Sequence, residues 1–296
     1  MPSDETPESP PVTAWFDQAI ARPPEIQRVD AAGAEVEILT WGPIGAPGLL
    51  FVHGMVAHAW WWSYIAPYFA TEYRCAALSF SGMGHSGWRE RYTMRDFTRE
   101  ITAAIKGGGL DRAAQKPIVV AHSFGAFVAR RFAEWNGGDL AGLVMIDSRV
   151  CPGSDPAPPL RSYVTRSFAS QREAVARFRL TPPQTCAIDY LVDWVARKGL
   201  RESEEGWCWS FDPDLSAKFF QDGSYHPGLG PTACPVAFVW GADSHLVSPR
   251  IRNYCRDAFP RSPRIEIPQA GHHIMMEQPI ALICALRGLF ASWPAG

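Results

Sequence analysis

The stretch "VVAHSFGAF", residues 119–127, sets Ser123 between a short apolar strand and the start of a helix. A serine at a sharp strand-to-helix turn has its hydroxyl thrust forward, and the turn demands small residues two positions to either side. Here those positions hold Ala121 and Gly125. The helix beginning behind Ser123 points its free amides at the same spot, which favours negative charge developing on an oxygen there. A serine so placed can also be no more than a helix N-cap. The buried strand before it, the small flanks and the partners described below favour a nucleophile.

Outward from this turn the chain alternates short apolar runs with helical segments. "VEILTW" and "GLLFVHG" read as strands separated by the Gly/Pro turn "GPIGAPG". "WWWSYIAPYFA" reads as a helix and "RCAALSF" as a strand. "YTMRDFTREITAAIKGGG" is a helix with a capping pattern at Thr93 and Asp96 and a glycine stop. The elbow strand, its helix and the strand "LAGLVMIDS" follow. The pattern then breaks at "CPGSDPAPPL", and residues 151–230 read as mostly helical or irregular, with helices around 161–178 and 183–198. It resumes with the strand "CPVAFVWG", a helix near 249–258, the strand "PRIEIP" and a final helix over 278–291. Alternation of this kind predicts a mostly parallel sheet flanked by helices, an α/β fold. Its core takes in residues 26–150 and 231–296, with an insertion over 151–230 and a flexible N-terminal tail over 1–25.

The 296 residues carry a net charge of −2, with 47% hydrophobic and 20% charged residues. That balance gives no electrostatic case for nucleic acid or an anionic membrane. Seven cysteines, an odd number with no C-x-x-C pair, point to reduced thiols in a cytoplasm rather than disulfides or a zinc site. The chain shows neither a signal-peptide pattern at "MPSDETPESPP" nor a spanning apolar run. No metal or cofactor is expected.

Two further motifs converge on the elbow. "FVHGM" (51–55) ends a strand in His-Gly, freeing the Met55 amide to pair with the Phe124 amide as a two-donor oxyanion hole, with His53 structural. "PQAGHHIMMEQP" (268–279) puts His272 after a glycine at the tip of the last loop, with His273 its competitor.

The order His-Gly, "SGMGHSG", serine elbow, insertion and late Gly-His resembles the α/β-hydrolase superfamily, in its serine-nucleophile, capped, esterase-like branch. The resemblance implies a nucleophile at Ser123, a base at His272, oxyanion donors at Met55 and Phe124, and a helical cap, matching 151–230, inserted after the sixth strand. Ala121 replaces the usual first glycine of the elbow, and Ser79 stands where many relatives carry Asp. The acid is also displaced. Relatives commonly carry it in a Gly-x-x-Asp loop, where this chain, in "GADSHLV" (241–247), has Ser244. Asp147, at the C-terminal end of "VMID", ranks ahead of Asp243, because ligand-facing groups in such sheets come from strand ends.

A serine nucleophile, a histidine and an oxyanion hole perform acyl transfer. Serine at 123 argues against epoxide or haloalkane chemistry, which in this superfamily goes with an Asp elbow. Trp194, Trp207, Trp209, Phe211 and Tyr163 in the insertion, with the run Trp60-Trp61-Trp62, favour a small to medium apolar acyl or aromatic ester over a sugar or nucleotide. Arg161, Arg166 and Arg172 read as a solvated helix face. The expected activity is a carboxylic-ester hydrolase. The alternatives are a C–C bond hydrolase, a hydroxynitrile lyase, or a ligand-sensing receptor without turnover.

Overall fold

Strands whose residues are apolar almost without break are the ones the structure buries on both faces. The computed structural model describes residues 13–150, 163, 166–220 and 230–293. Its strands are β1 (Glu25–Ala31), β2 (Ala34–Trp41), β3 (Gly48–Val52), β4 (Arg74–Leu78), β5 (Ile118–His122), β6 (Gly142–Ile146), β7 (Leu200–Ser203), β8 (Gly206–Trp209), β9 (Val236–Gly241) and β10 (Arg264–Ile267). Eight of them form one sheet in the order β1-β2-β4-β3-β5-β6-β9-β10. β1, β2 and β4 pair antiparallel, and every other neighbour is parallel.

Successive side chains of a strand point to opposite faces, and both faces here are covered. Leu50 and Val52 of β3, Val119 and Ala121 of β5, and Phe238 and Trp240 of β9 enter one core. That core is closed by α2 (Met94–Gly107), α3 (Phe124–Asn136) and α7 (Pro249–Ala258). Leu49, Phe51, Val120, Val144 and Val239 enter the other core, under α1 (Ala14–Ile20), the tryptophan run and α9 (Pro279–Ser292). The insertion, between β6 and β9, contributes α4 (Gln171–Ala176), α5 (Asp189–Lys198), the β7–β8 hairpin and α6 (Leu215–Phe220). α8 (Ile274–Glu277) is one turn ahead of α9.

Several expectations are corrected. The tail expected over 1–25 is, in its described part, the helix α1 followed by the first residue of β1; Phe16 of α1 is buried against Tyr64, Tyr190 and Trp194. The tryptophan run is not an α-helix but two 3-10 turns, Ala59–Trp62 and Ala66–Tyr68. Trp60, Trp61 and Trp62 are all buried. The insertion is not purely helical. Gly199 stops α5, and Gly206, at φ +114°, lets "GWCW" turn back on "LRES" as a hairpin. The first expected insertion helix, 161–178, is helical in its described part only over α4 (Gln171–Ala176), because the Ser170 side chain accepts from the Glu173 N–H and starts the helix there; residues 151–162, 164 and 165 lie outside the described residues.

Candidate active site

Ser123 leaves β5 in a left-handed conformation, φ +52° and ψ −118°, before α3 begins. A residue with a Cβ is strained there by about 1–3 kcal/mol, and neighbouring bonds hold it. Its N–H donates to the Ile146 carbonyl at 2.9 Å, and its carbonyl accepts from the Phe127 N–H at 3.1 Å and the Ser148 hydroxyl at 2.9 Å. The hydroxyl itself makes no capping hydrogen bond. Gly125 permits the close approach of α3 to the His-Gly loop, because a Cβ there would lie 2.2 Å from the His53 carbonyl oxygen. The first turn of α3 is thereby pressed against Gly54 and Met55. Neither the Met55 nor the Phe124 N–H has an acceptor among the described residues, and both residues line the cavity that Ser123 enters.

His53 is structural. Its Nε2 accepts from the Phe80 N–H at 3.0 Å, so Nδ1 carries the proton and donates to the Gly54 carbonyl. Ser79 is likewise local, joining the Glu37 carboxylate to the Ala59 N–H.

His272 comes from the loop after β10, and its Nδ1 donates to Asp147 Oδ2 at 2.7 Å. Asp147 stands at the end of β6, fully buried and itself in a left-handed conformation at φ +42°. Its Oδ1 accepts from the Gly241 N–H at 3.1 Å, and its Oδ2 also accepts from the Ser244 hydroxyl at 2.6 Å. Ser244, the residue in the usual acid slot, is thus a hydrogen-bond donor to an acid presented from the neighbouring strand. Asp243 is exposed and its N–H is tied to the Ala270 carbonyl. His245 is exposed as well.

Sequence reasoning passed over His122. Its Nε2 donates to the His272 carbonyl at 2.9 Å, fixing the loop that carries His272. His273 packs against Trp61, with its N–H donating to Gln184 Oε1. Among the described residues neither ring nitrogen has a partner in full hydrogen-bonding geometry, although the Pro182 backbone lies near enough to favour the protonated ring. Ring nitrogens of His122, His272 and His273 lie within 4.8 Å of one another, the spacing at which a metal ion could be held. Two of these rings already spend a nitrogen on Asp147 and on the His272 backbone. A signal for His122 was available: it directly precedes the elbow serine.

Burial pushes four histidines toward the neutral form: His53 to about 4, His58 and His273 to about 3, and His122 well below the ordinary range, the last also through its histidine neighbours. The unfolded chain protonates them near 6.5, so it binds more protons than the fold, and stability drops as pH falls below that value. Buried Glu100 acts oppositely. Its carboxyl is raised to about 7 by burial, against the pull of Ser81 and Arg89, so the fold keeps a proton that the unfolded chain releases. The four histidines outnumber Glu100, so the fold loses stability as pH falls from about 6 to 5. Urea midpoints measured across that range should fall steeply; a flat profile would contradict the neutral-histidine core.

The cavity has a volume of about 620 Å³, in the range of small-molecule sites. Trp61, Phe124, Phe127, Phe178, Trp209 and Phe211 give it apolar walls. Of the aromatic residues singled out in the insertion, Trp209, Phe211 and Tyr163 line it. Trp194 instead packs on Phe16 and Trp60 and donates to Ser63, and Trp207 packs beside Phe168. Arg166 and Arg172 lie away from the cavity, and Arg161 lies outside the described residues. The six described cysteines are free thiols. No helix among the described residues is long and apolar enough to cross a membrane.

The alpha/beta hydrolase family model matches residues 49–286. An esterase of Mycobacterium tuberculosis is 25% identical over 287 residues, covering 90% of this chain and 89% of its own. An epoxide hydrolase of Caenorhabditis elegans is 29% identical over 150 residues; there the match covers 48% of this chain but only 35% of that enzyme. Among solved structures, the thioesterase domain from the curacin biosynthetic pathway superposes with a TM-score of 0.73 at 18% identity, over 89% of this chain and 99% of that domain.

Proposed function

The chain belongs to the alpha/beta hydrolase family, and from that premise we propose a carboxylic-ester hydrolase working through Ser123, His272 and Asp147. The observation that supports this most is the 2.7 Å contact from His272 Nδ1 to Asp147. A carboxylate only accepts, so it holds the proton on Nδ1 and leaves Nε2 basic toward the cavity shared with Ser123. In the reaction Nε2 takes the Ser123 proton as Oγ attacks the ester carbonyl. The oxyanion forms between the Met55 and Phe124 amides, at the N-terminus of α3. The imidazolium, stabilised by Asp147, then gives its proton to the departing alkoxide. Water, activated by the same nitrogen, releases the acid from the acyl-enzyme.

Serine at 123 favours this over epoxide opening, and the aromatic walls favour an ester of small or medium size with apolar acyl or aryl parts. Residues 151–230 form the cap in this reading. The test is hydrolysis of p-nitrophenyl acetate to hexanoate, together with labelling by a fluorophosphonate probe. One label per chain, mapped to the peptide containing Ser123, is the expected result. A chain that stays unlabelled is not a serine hydrolase.

A further inference from the structure

The cavity wall is asymmetric in charge. Among the described residues lining it are three arginines, Arg149, Arg177 and Arg179, and no aspartate or glutamate. An ordinary protein surface intersperses the two signs, and several arginines of this chain, Arg89, Arg130, Arg197 and Arg252 among them, each meet a carboxylate. Arg149 and Arg177 are exposed, and neither guanidinium has an ion pair or hydrogen bond among the described residues. Arg179 spends one nitrogen on the carbonyls of Ala176 and Phe178 and has no acid partner among those residues.

Their positions are also informative. Arg149 follows Ser148, whose hydroxyl is bonded to the Ser123 carbonyl, so it belongs to the serine end of the cavity. Arg177 and Arg179 come from the end of α4, in the segment 177–182 that lines the cavity throughout. Arginines from the core and from the insertion therefore border one chamber whose other walls are largely apolar. A neutral ester leaves these cations to water. A substrate with a carboxylate meets them with fork-shaped donors that match it.

Resting on the ester-hydrolase reading above, we propose that Arg149, Arg177 and Arg179 form an anion subsite, and that the preferred substrate is an ester carrying a free carboxylate away from the scissile bond. The carboxylate can belong to the acyl part, as in a hemi-ester of a dicarboxylic acid, or to the alcohol part. Either uses the same recognition chemistry.

The test compares kcat/KM for mono-p-nitrophenyl adipate with that for its neutral methyl ester, and 4-carboxyphenyl hexanoate with its neutral methyl ester. Wild-type enzyme should prefer the anionic member of at least one pair by roughly tenfold or more, through KM, and the preference should shrink as salt is raised. The pair that shows it identifies the side bearing the carboxylate. In Arg149→Gln and Arg177→Gln the ratio within that pair should fall about fivefold each. Because both members are measured on one preparation, loss of folded enzyme cancels from the ratio. Equal turnover within both pairs overturns the subsite, as does a preference that both arginine variants retain. Failure to hydrolyse any of the four esters, or the p-nitrophenyl series, would instead overturn the ester-hydrolase reading itself.

Discussion

Ser123→Ala should lower ester turnover by about a million-fold while leaving the fold intact. Removing the nucleophile of a serine hydrolase costs on that order in kcat, and the residual rate comes from the oxyanion hole and binding alone. What makes the variant informative here is that Ser123 Oγ makes no capping bond to α3. The bonds that hold the elbow, from the residue's own N–H and carbonyl to Ile146, Phe127 and Ser148, are backbone bonds on the Ser123 side and survive the change. Alanine suffers the same left-handed strain as serine. The melting temperature should therefore stay close to that of the wild type, and fluorophosphonate labelling should vanish. A helix-capping serine predicts the reverse, a loss of about 1 kcal/mol with activity kept. Turnover close to wild type would remove Ser123 from the chemistry.

The parts of the fold that a reader of the sequence recovers are those where one physical signal acts alone. β3, β5, β6 and β9 are buried on both faces, so their residues are apolar almost throughout and announce themselves. β1 does not, because it is an edge strand whose "EIQRVDA" is mostly exposed or half-buried. The hairpin β7–β8 is four residues a side, too short for a period to emerge. In the site, Ser123 and His272 are marked by small residues and glycines that their backbones require. His122 and Ser244 carry no such mark, since their value lies in which distant atom they meet: the His272 carbonyl for one, the Asp147 carboxylate for the other. The cavity arginines are invisible for the same reason. Only the way the insertion folds over the core brings Arg177 and Arg149 to one chamber.

Asp147→Asn should cost about ten-thousand-fold in kcat, and Asp243→Asn should stay within roughly a factor of two or three of wild type. Asparagine suits the left-handed backbone at position 147, so the loss can be read as chemistry rather than collapse. The carboxylate accepts at both oxygens, from the Gly241 N–H on one side and from Ser244 and His272 on the other. An amide can do only half of this. With its oxygen toward His272, its NH2 opposes the Gly241 N–H. With its NH2 toward His272, the ring must accept at Nδ1, and the proton moves to Nε2, where the base is needed. The geometry further implies that the acid can be moved. Ser244 Oγ is 2.6 Å from the Asp147 oxygen that touches His272. A carboxylate built at position 244 extends toward that oxygen's place, with the amide introduced at position 147 free to donate to it. The double variant Asp147→Asn, Ser244→Asp should regain roughly one to two orders of magnitude over Asp147→Asn alone, with the steady-state pH profile returning toward that of the wild type. Wild-type turnover in Asp147→Asn would exclude it as the acid. A crippled Asp147→Asn that Ser244→Asp leaves unimproved would show that the carboxylate must hang from the end of β6, and that Ser244 acts only by donating to it.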